Sequence, residues 1–214
     1  MEIKINDRIS YIPEVREPLS SDIVIVRGDT GMFFFDVGNS KEATAYLNGL
    51  EGPKSVILSH FHYDHSGALK DTARDRLYVG SYTCKAAADG IRVTEPVTIT
   101  DGVKLELIPV PCTHAKGSLL MVVDDDIVFT GDATYAMWKD GKVLYNAQLL
   151  KQEIAVLESL KAKRCFLSHD GGKIKSMESV ISVLVKIYEK REKDSPYICV
   201  GERAERYDGY AGKS

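Results

Sequence analysis

The stretch Ser55-Val56-Ile57-Leu58-Ser59-His60-Phe61-His62-Tyr63-Asp64-His65 runs from a short apolar segment straight into three histidines and an aspartate. Residues two apart on an extended chain point to one side, so His60 and His62 can present their imidazoles together. Imidazole is a good ligand for zinc and for neighbouring borderline metals. Asp64 and His65 follow where the strand gives way to a turn, which lets them swing to an adjacent position. The remaining histidines, His114 and His169, and the aspartate Asp132 follow apolar runs at residues 104–110, 165–168 and 127–130. All five histidines and two aspartates therefore stand just past strand ends, where a rigid scaffold positions loops that carry function. A lone histidine is ordinarily a surface or core residue. That reading does not explain five out of five in one kind of place.

Outward from this stretch, the pattern is strands first and helices later. Residues 22–26 and 32–37 are apolar runs joined by Arg27-Gly28-Asp29-Thr30-Gly31, a hairpin signal. In a chain without an export signal the Arg-Gly-Asp triplet reads as the turn, not as an adhesion motif. Ser40 can cap a helix to about residue 50. Residues 77–80 read as a strand and 81–88 as a helix. Further strands are expected at 97–100, 104–110, 118–123 and 127–130, with Asp101-Gly102 and the solvated Asp124-Asp125-Asp126 as turns. Leu150, Ile154, Leu157 and Leu160 recur at helical spacing, as do Met177, Val180, Ile181, Leu184, Ile187 and Tyr188. Strands in groups with helices between and after them predict stacked sheets covered by helices. The expected organisation is a single domain over residues 1–190, followed by a polar, loosely ordered tail over 191–214.

Composition narrows the function. The chain has 214 residues, 44% of them hydrophobic, and a net charge of −3. That charge argues against a nucleic-acid binder, which needs a basic face. No run of about 18 apolar residues is present to span a membrane, and the N-terminus lacks the apolar core of a signal peptide. Cys84, Cys112, Cys165 and Cys199 are scattered and form no CxxC pair, as in a reducing cytoplasm. The expected partner is a small-molecule substrate.

The order HxHxDH, a distant histidine, Gly131-Asp132 and a final histidine resembles the metallo-β-lactamase superfamily, from about residue 20 to about 190. The resemblance implies an α/β fold, the four-layer αβ/βα sandwich. It implies that His60, His62 and His114 hold one divalent metal, that Asp64, His65 and His169 hold a second, and that Asp132 bridges them. Zinc is the first expectation, with iron or manganese as alternatives. Two such ions can share a hydroxide that attacks a carbonyl. Asp132-Ala133-Thr134-Tyr135 is similar to the N-acyl-homoserine lactonases, in which a tyrosine three residues after the bridging aspartate contacts the substrate carbonyl; this makes Tyr135 a catalytic candidate beside Asp64 and Asp132. The hydroxyacylglutathione thioesterases share all seven ligands.

The chain also departs from the family pattern. Ser66-Gly67-Ala68 stands where many members have two glycines, Thr113 and Ser168 replace glycines before the third and last histidines, and Lys116 replaces a proline. The ligands survive these changes, but the substrate does not follow from them. The expected activity is hydrolysis of a small ester, lactone or thioester. The alternatives are a mononuclear iron persulfide dioxygenase on the same fold, using His60, His62, His114 and Asp132, or β-lactamase-type amide hydrolysis, against which Asp132 counts.

Overall fold

The protein was analysed as a computed structural model, which describes residues 2–85, 87 and 89–202. In chain order the strands are β1 (Ile3–Lys4), β2 (Ile9–Ile12), β3 (Val15–Arg16), β4 (Leu19–Ser20), β5 (Ile23–Arg27) and β6 (Met32–Phe35). Helix α1 (Lys41–Gly49), β7 (Lys54–Ile57), the single turn α2 (Tyr63–Ser66), β8 (Arg76–Gly80) and β9 (Ile91–Val93) follow. Then come β10 (Val97–Thr100), β11 (Lys104–Val110), β12 (Ser118–Val123), β13 (Ile127–Phe129), β14 (Met137–Lys139) and β15 (Lys142–Asn146). The chain closes with α3 (Ala147–Ser159), β16 (Arg164–Phe166), β17 (Ile174–Ser176), α4 (Met177–Glu189) and β18 (Tyr197–Glu202).

Two large sheets stack face to face. One has the order β1-β2-β5-β6-β7-β8-β9 and the other β10-β11-β12-β13-β16-β17. Their central strands carry long apolar runs because each face is covered. Along β12, Leu119, Met121 and Val123 enter the core between the sheets, while Leu120 and Val122 enter the core under α3 and α4. Along β6, Phe33 and Phe35 face the other sheet and Phe34 faces α1. A strand alternates its side chains, so continuous apolar runs mark strands buried on both sides. The result is helix, sheet, sheet, helix: the expected four-layer αβ/βα sandwich.

All three longer helices carry side-chain N-caps, the first of them at the Ser40 suggested by the sequence. Ser40 Oγ accepts from the Ala43 N–H at the start of α1, and Asn146 and Ser176 cap α3 and α4 in the same way. Two expectations need correction. The described part of residues 81–88 forms only a 3-10 turn over Thr83–Lys85, with Thr83 fully buried beneath it. The tail expected from residue 191 is also partly structured: Tyr197–Glu202 pairs antiparallel with β15 and joins β14 in a small third sheet. Backbone hydrogen bonding to β15 orders this polar segment, although only Ile198 is buried. Residues 203–214 lie outside the described residues. Among those described, no helix is long and apolar enough to cross a membrane.

Candidate metal centre

Every candidate side chain stands on a connection leaving a strand of the stacked sheets. β7 ends at Ile57, and Leu58 and Ser59 carry the chain to His60 and His62. His62 caps α2, its carbonyl accepting from the His65 and Ser66 N–H groups, and that turn carries Asp64 and His65 off the strand direction. His114 follows β11, Asp132 follows β13 and His169 follows β16. Gly131 is required before Asp132: it sits at φ +53, and an added Cβ would lie 2.6 Å from Ser59 Cβ and Oγ. That close approach sets Asp132 against the histidine stretch.

The seven residues, far apart in sequence, form two contiguous sets. His60, His62 and His114 make one; Asp64, His65, Asp132 and His169 make the other, with ligand atoms within 4.8 Å of one another in each. His62 Nδ1 and His114 Nε2 face each other at 3.0 Å. Asp64 Oδ2 lies 3.1 Å from His169 Nε2. Asp132 Oδ2 is 3.3 Å from His114 Nε2 and 3.3 Å from His65 Nε2, so one carboxylate oxygen touches both sets. His60 Nε2, His65 Nε2 and Asp132 Oδ1 are buried without a hydrogen-bond partner among the described residues. Buried polar atoms are normally paired. Several unpartnered acceptor-capable atoms converging on one place fit a cation.

The electrostatics differ between the sets. Burial, followed by the neighbouring imidazoles, pushes His60 well below its usual value. Burial and then His114 bring His62 down to about 4, and burial also lowers His114. These rings are neutral and keep a lone pair for a metal. In the second set burial again opposes charge on the rings, but carboxylates outweigh it. Asp36 and Asp132 raise His65 well above its usual value, while Asp64, Asp132 and Glu14 raise His169 to about 9. The second set thus favours a positive charge at its centre.

A further layer, invisible in the motif itself, orients the rings. Ser59 Oγ is 2.9 Å from His60 Nδ1, and the Ala136 carbonyl is 3.3 Å from His114 Nδ1. Asp36 Oδ2 is 2.7 Å from His65 Nδ1, and Glu14 Oε2 is 2.9 Å from His169 Nδ1. These partners leave Nε2 of all four rings directed at the centre. Asp36 had a readable signal, since it terminates the buried run of β6. Glu14 had none, because its partner is 155 residues away.

The other candidates sit apart from the ligand sets. The Tyr135 hydroxyl donates to the Ser168 carbonyl at 2.5 Å, one residue before His169. Burial, then the fields of Asp132, Asp170, Asp22 and Glu14, raise its pKa, so it remains a donor at neutral pH. Lys116 is solvent-exposed, and Trp138 is 61% exposed, so it is not core. Cys112 and Cys165 are buried, Cys84 is half-buried and Cys199 is exposed; all four are free thiols.

Comparison with known proteins bears on the fold and on the histidine stretch. The family model of the metallo-beta-lactamase superfamily matches residues 16–80, which include the histidine stretch. No curated protein gives a significant match. A B3 metallo-beta-lactamase described as the first with an active-site glutamic acid aligns with a TM-score of 0.70 and 12% identity, covering 89% of each chain. A metallo-beta-lactamase from Pontibacter korlensis aligns with a TM-score of 0.65 and 19% identity, over 89% of this chain and 99% of that one. A flavoprotein from Thermotoga maritima aligns with a TM-score of 0.59 and 18% identity, over 87% of this chain; the match spans 54% of that longer chain. The sequence match over residues 16–80 resembles the metallo-β-lactamase superfamily, and the solved structures share its fold. At these identities the structural likeness establishes the fold and leaves the substrate to be argued from the site.

Proposed function

We propose that the chain is a dinuclear metallohydrolase that cleaves a small ester, lactone or thioester. The observation that carries this reading is the Asp132 carboxylate, whose Oδ2 lies 3.3 Å from a ring nitrogen of each ligand set. His60, His62 and His114 would hold one ion, Asp64, His65 and His169 the other, and Asp132 both. A pair of divalent ions there, zinc before iron or manganese, would supply a water of lowered pKa and Lewis acidity toward a carbonyl.

The remaining chemistry belongs to the chain's own groups. Asp64 is the more exposed of the two ligand carboxylates, 18% against 8% for Asp132. In this reading Asp64 would be the carboxylate that takes a proton. Tyr135, turned from the Ser168 carbonyl toward a bound substrate, would donate to the oxygen on which charge develops. Its spacing from Asp132 matches the lactonase-like pattern, which favours an ester or lactone carbonyl.

The test is a screen of the purified chain, loaded in turn with zinc, manganese and iron, against lactones, thioesters, phosphodiesters and cephalosporins. The expected result is turnover of a lactone, ester or thioester with two ions per chain, and near-complete loss of turnover in Asp132→Ala. Turnover undiminished by that substitution would contradict the shared-ligand role. One iron per chain with oxygen uptake on glutathione persulfide would replace hydrolysis by the dioxygenase reading.

A further inference from the structure

The two ligand sets differ in what stands behind their imidazoles. In the first set the partners are neutral: Ser59 Oγ at His60 and the Ala136 carbonyl at His114. In the second they are carboxylates: Asp36 at His65 and Glu14 at His169. Asp36 arrives just past the end of β6, the strand beside β7. Glu14 arrives from elsewhere, on the segment that links β2 to β5.

That segment is tied to the second set at three points. Glu14 Oε2 accepts from His169 Nδ1–H at 2.9 Å. Asp22 Oδ2 accepts from the His169 backbone N–H at 3.0 Å, while its Oδ1 accepts from the Glu14 N–H at 3.1 Å. The Ser21 N–H donates to the Asp64 carbonyl at 2.8 Å. One carboxylate, Asp22, therefore clamps the backbone of both Glu14 and His169 and holds them in register. His169 itself sits at φ +59, a conformation that costs a residue with a side chain and persists only where its surroundings hold it. With Nδ1–H given to Glu14, Nε2 is the nitrogen left to bind, and it faces Asp64 at 3.1 Å.

We propose that Glu14 is a positioning residue: it fixes the tautomer and direction of His169 toward the second metal position, and its removal weakens that position alone. The assignment rests on the reading that the two ligand sets hold metal ions. A carboxylate behind a ligating histidine orients the ring and raises its basicity, and losing such a partner weakens metal binding by roughly 10- to 100-fold. His60 and His114 have their own partners, Ser59 Oγ and the Ala136 carbonyl, and no ring of the first set hydrogen-bonds with this segment.

The test is zinc binding by chelator competition on the full-length chain, comparing wild type with Glu14→Ala and Glu14→Gln, together with the melting temperatures of the metal-free proteins. Wild type should bind two equivalents. In Glu14→Ala one equivalent should weaken by about 10- to 100-fold with the other unchanged, and the metal-free melting temperature should stay close to wild type. Glu14→Gln, which keeps an acceptor without the charge, should recover part of the loss. In a His169→Ala background the Glu14→Ala substitution should add nothing. Two equivalents of wild-type affinity in Glu14→Ala would refute the assignment of Glu14 alone. Equal weakening of both, with a lower metal-free melting temperature, would make Glu14 merely structural and refute it too. A wild type that binds no zinc would overturn the metal-centre reading beneath it.

Discussion

Nδ1 of His65 lies 2.7 Å from Oδ2 of Asp36, and the two side chains are 0% and 1% exposed. Asp36 also accepts from the Ser59 N–H and from Ser59 Oγ, each at 2.7 Å. One buried carboxylate thus joins the end of β6 to the end of β7 and orients a ligand ring. Asp36→Ala would leave three buried donors without their acceptor. Each such group costs about 1–3 kcal/mol, so metal-free Asp36→Ala should lose about 3 kcal/mol or more in urea denaturation. A loss below about 1 kcal/mol would show that water or repacking replaces the carboxylate.

Glu153 gives a pH dependence independent of the metal centre. It lies on the inner face of α3 with Leu150, Ile154 and Leu157, and both its oxygens lack a partner among the described residues. Burial holds its carboxyl well above the ordinary 4.5. The unfolded chain releases this proton near 4.5, whereas the folded chain keeps it. Glu153 therefore costs nothing extra below that value and destabilises increasingly as pH rises above it, with a limiting slope of about 1.4 kcal/mol per pH unit. Glu153→Met should be more stable than wild type at pH 8 and should lose most of that advantage at pH 4. Parallel stability–pH curves for the two proteins would contradict a buried, neutral Glu153.

Tyr135 offers a split between chemistry and binding. At rest its hydroxyl braces the Ser168 carbonyl. As a donor to the developing charge it contributes in the transition state, so Tyr135→Phe should lower kcat by roughly 10-fold or more. KM should change little, and two metals should still bind. An unchanged kcat would leave the phenol with its bracing role only.

Much of this was legible in the residues themselves, and the limits were physical. Uninterrupted apolar runs such as Phe33-Phe34-Phe35 announced strands covered on both faces, and the positions of the histidines after strands announced the site. β14 and β15 were harder to read, because Met137, Trp138 and Lys139 are mostly exposed and carry no clean alternation. β18 was missed because Tyr197–Glu202 is held by the β15 backbone rather than by buried side chains. Residues 81–88 read as a helix, but among those described only Thr83–Lys85 form a 3-10 turn, with Thr83 buried. The ligands were readable because coordination needs particular side chains at particular spacings. Glu14 and Asp22 were not, because only the completed fold brings them to His169.

The shared-carboxylate centre is tested most directly by where metal ions settle. Crystals of the zinc-loaded protein, measured at the zinc absorption edge, should show two anomalous peaks about 3.5–4 Å apart. Asp132 should contact both, with His60, His62 and His114 around one peak and Asp64, His65 and His169 around the other. A single peak, or peaks that share no carboxylate, would contradict the bridged pair.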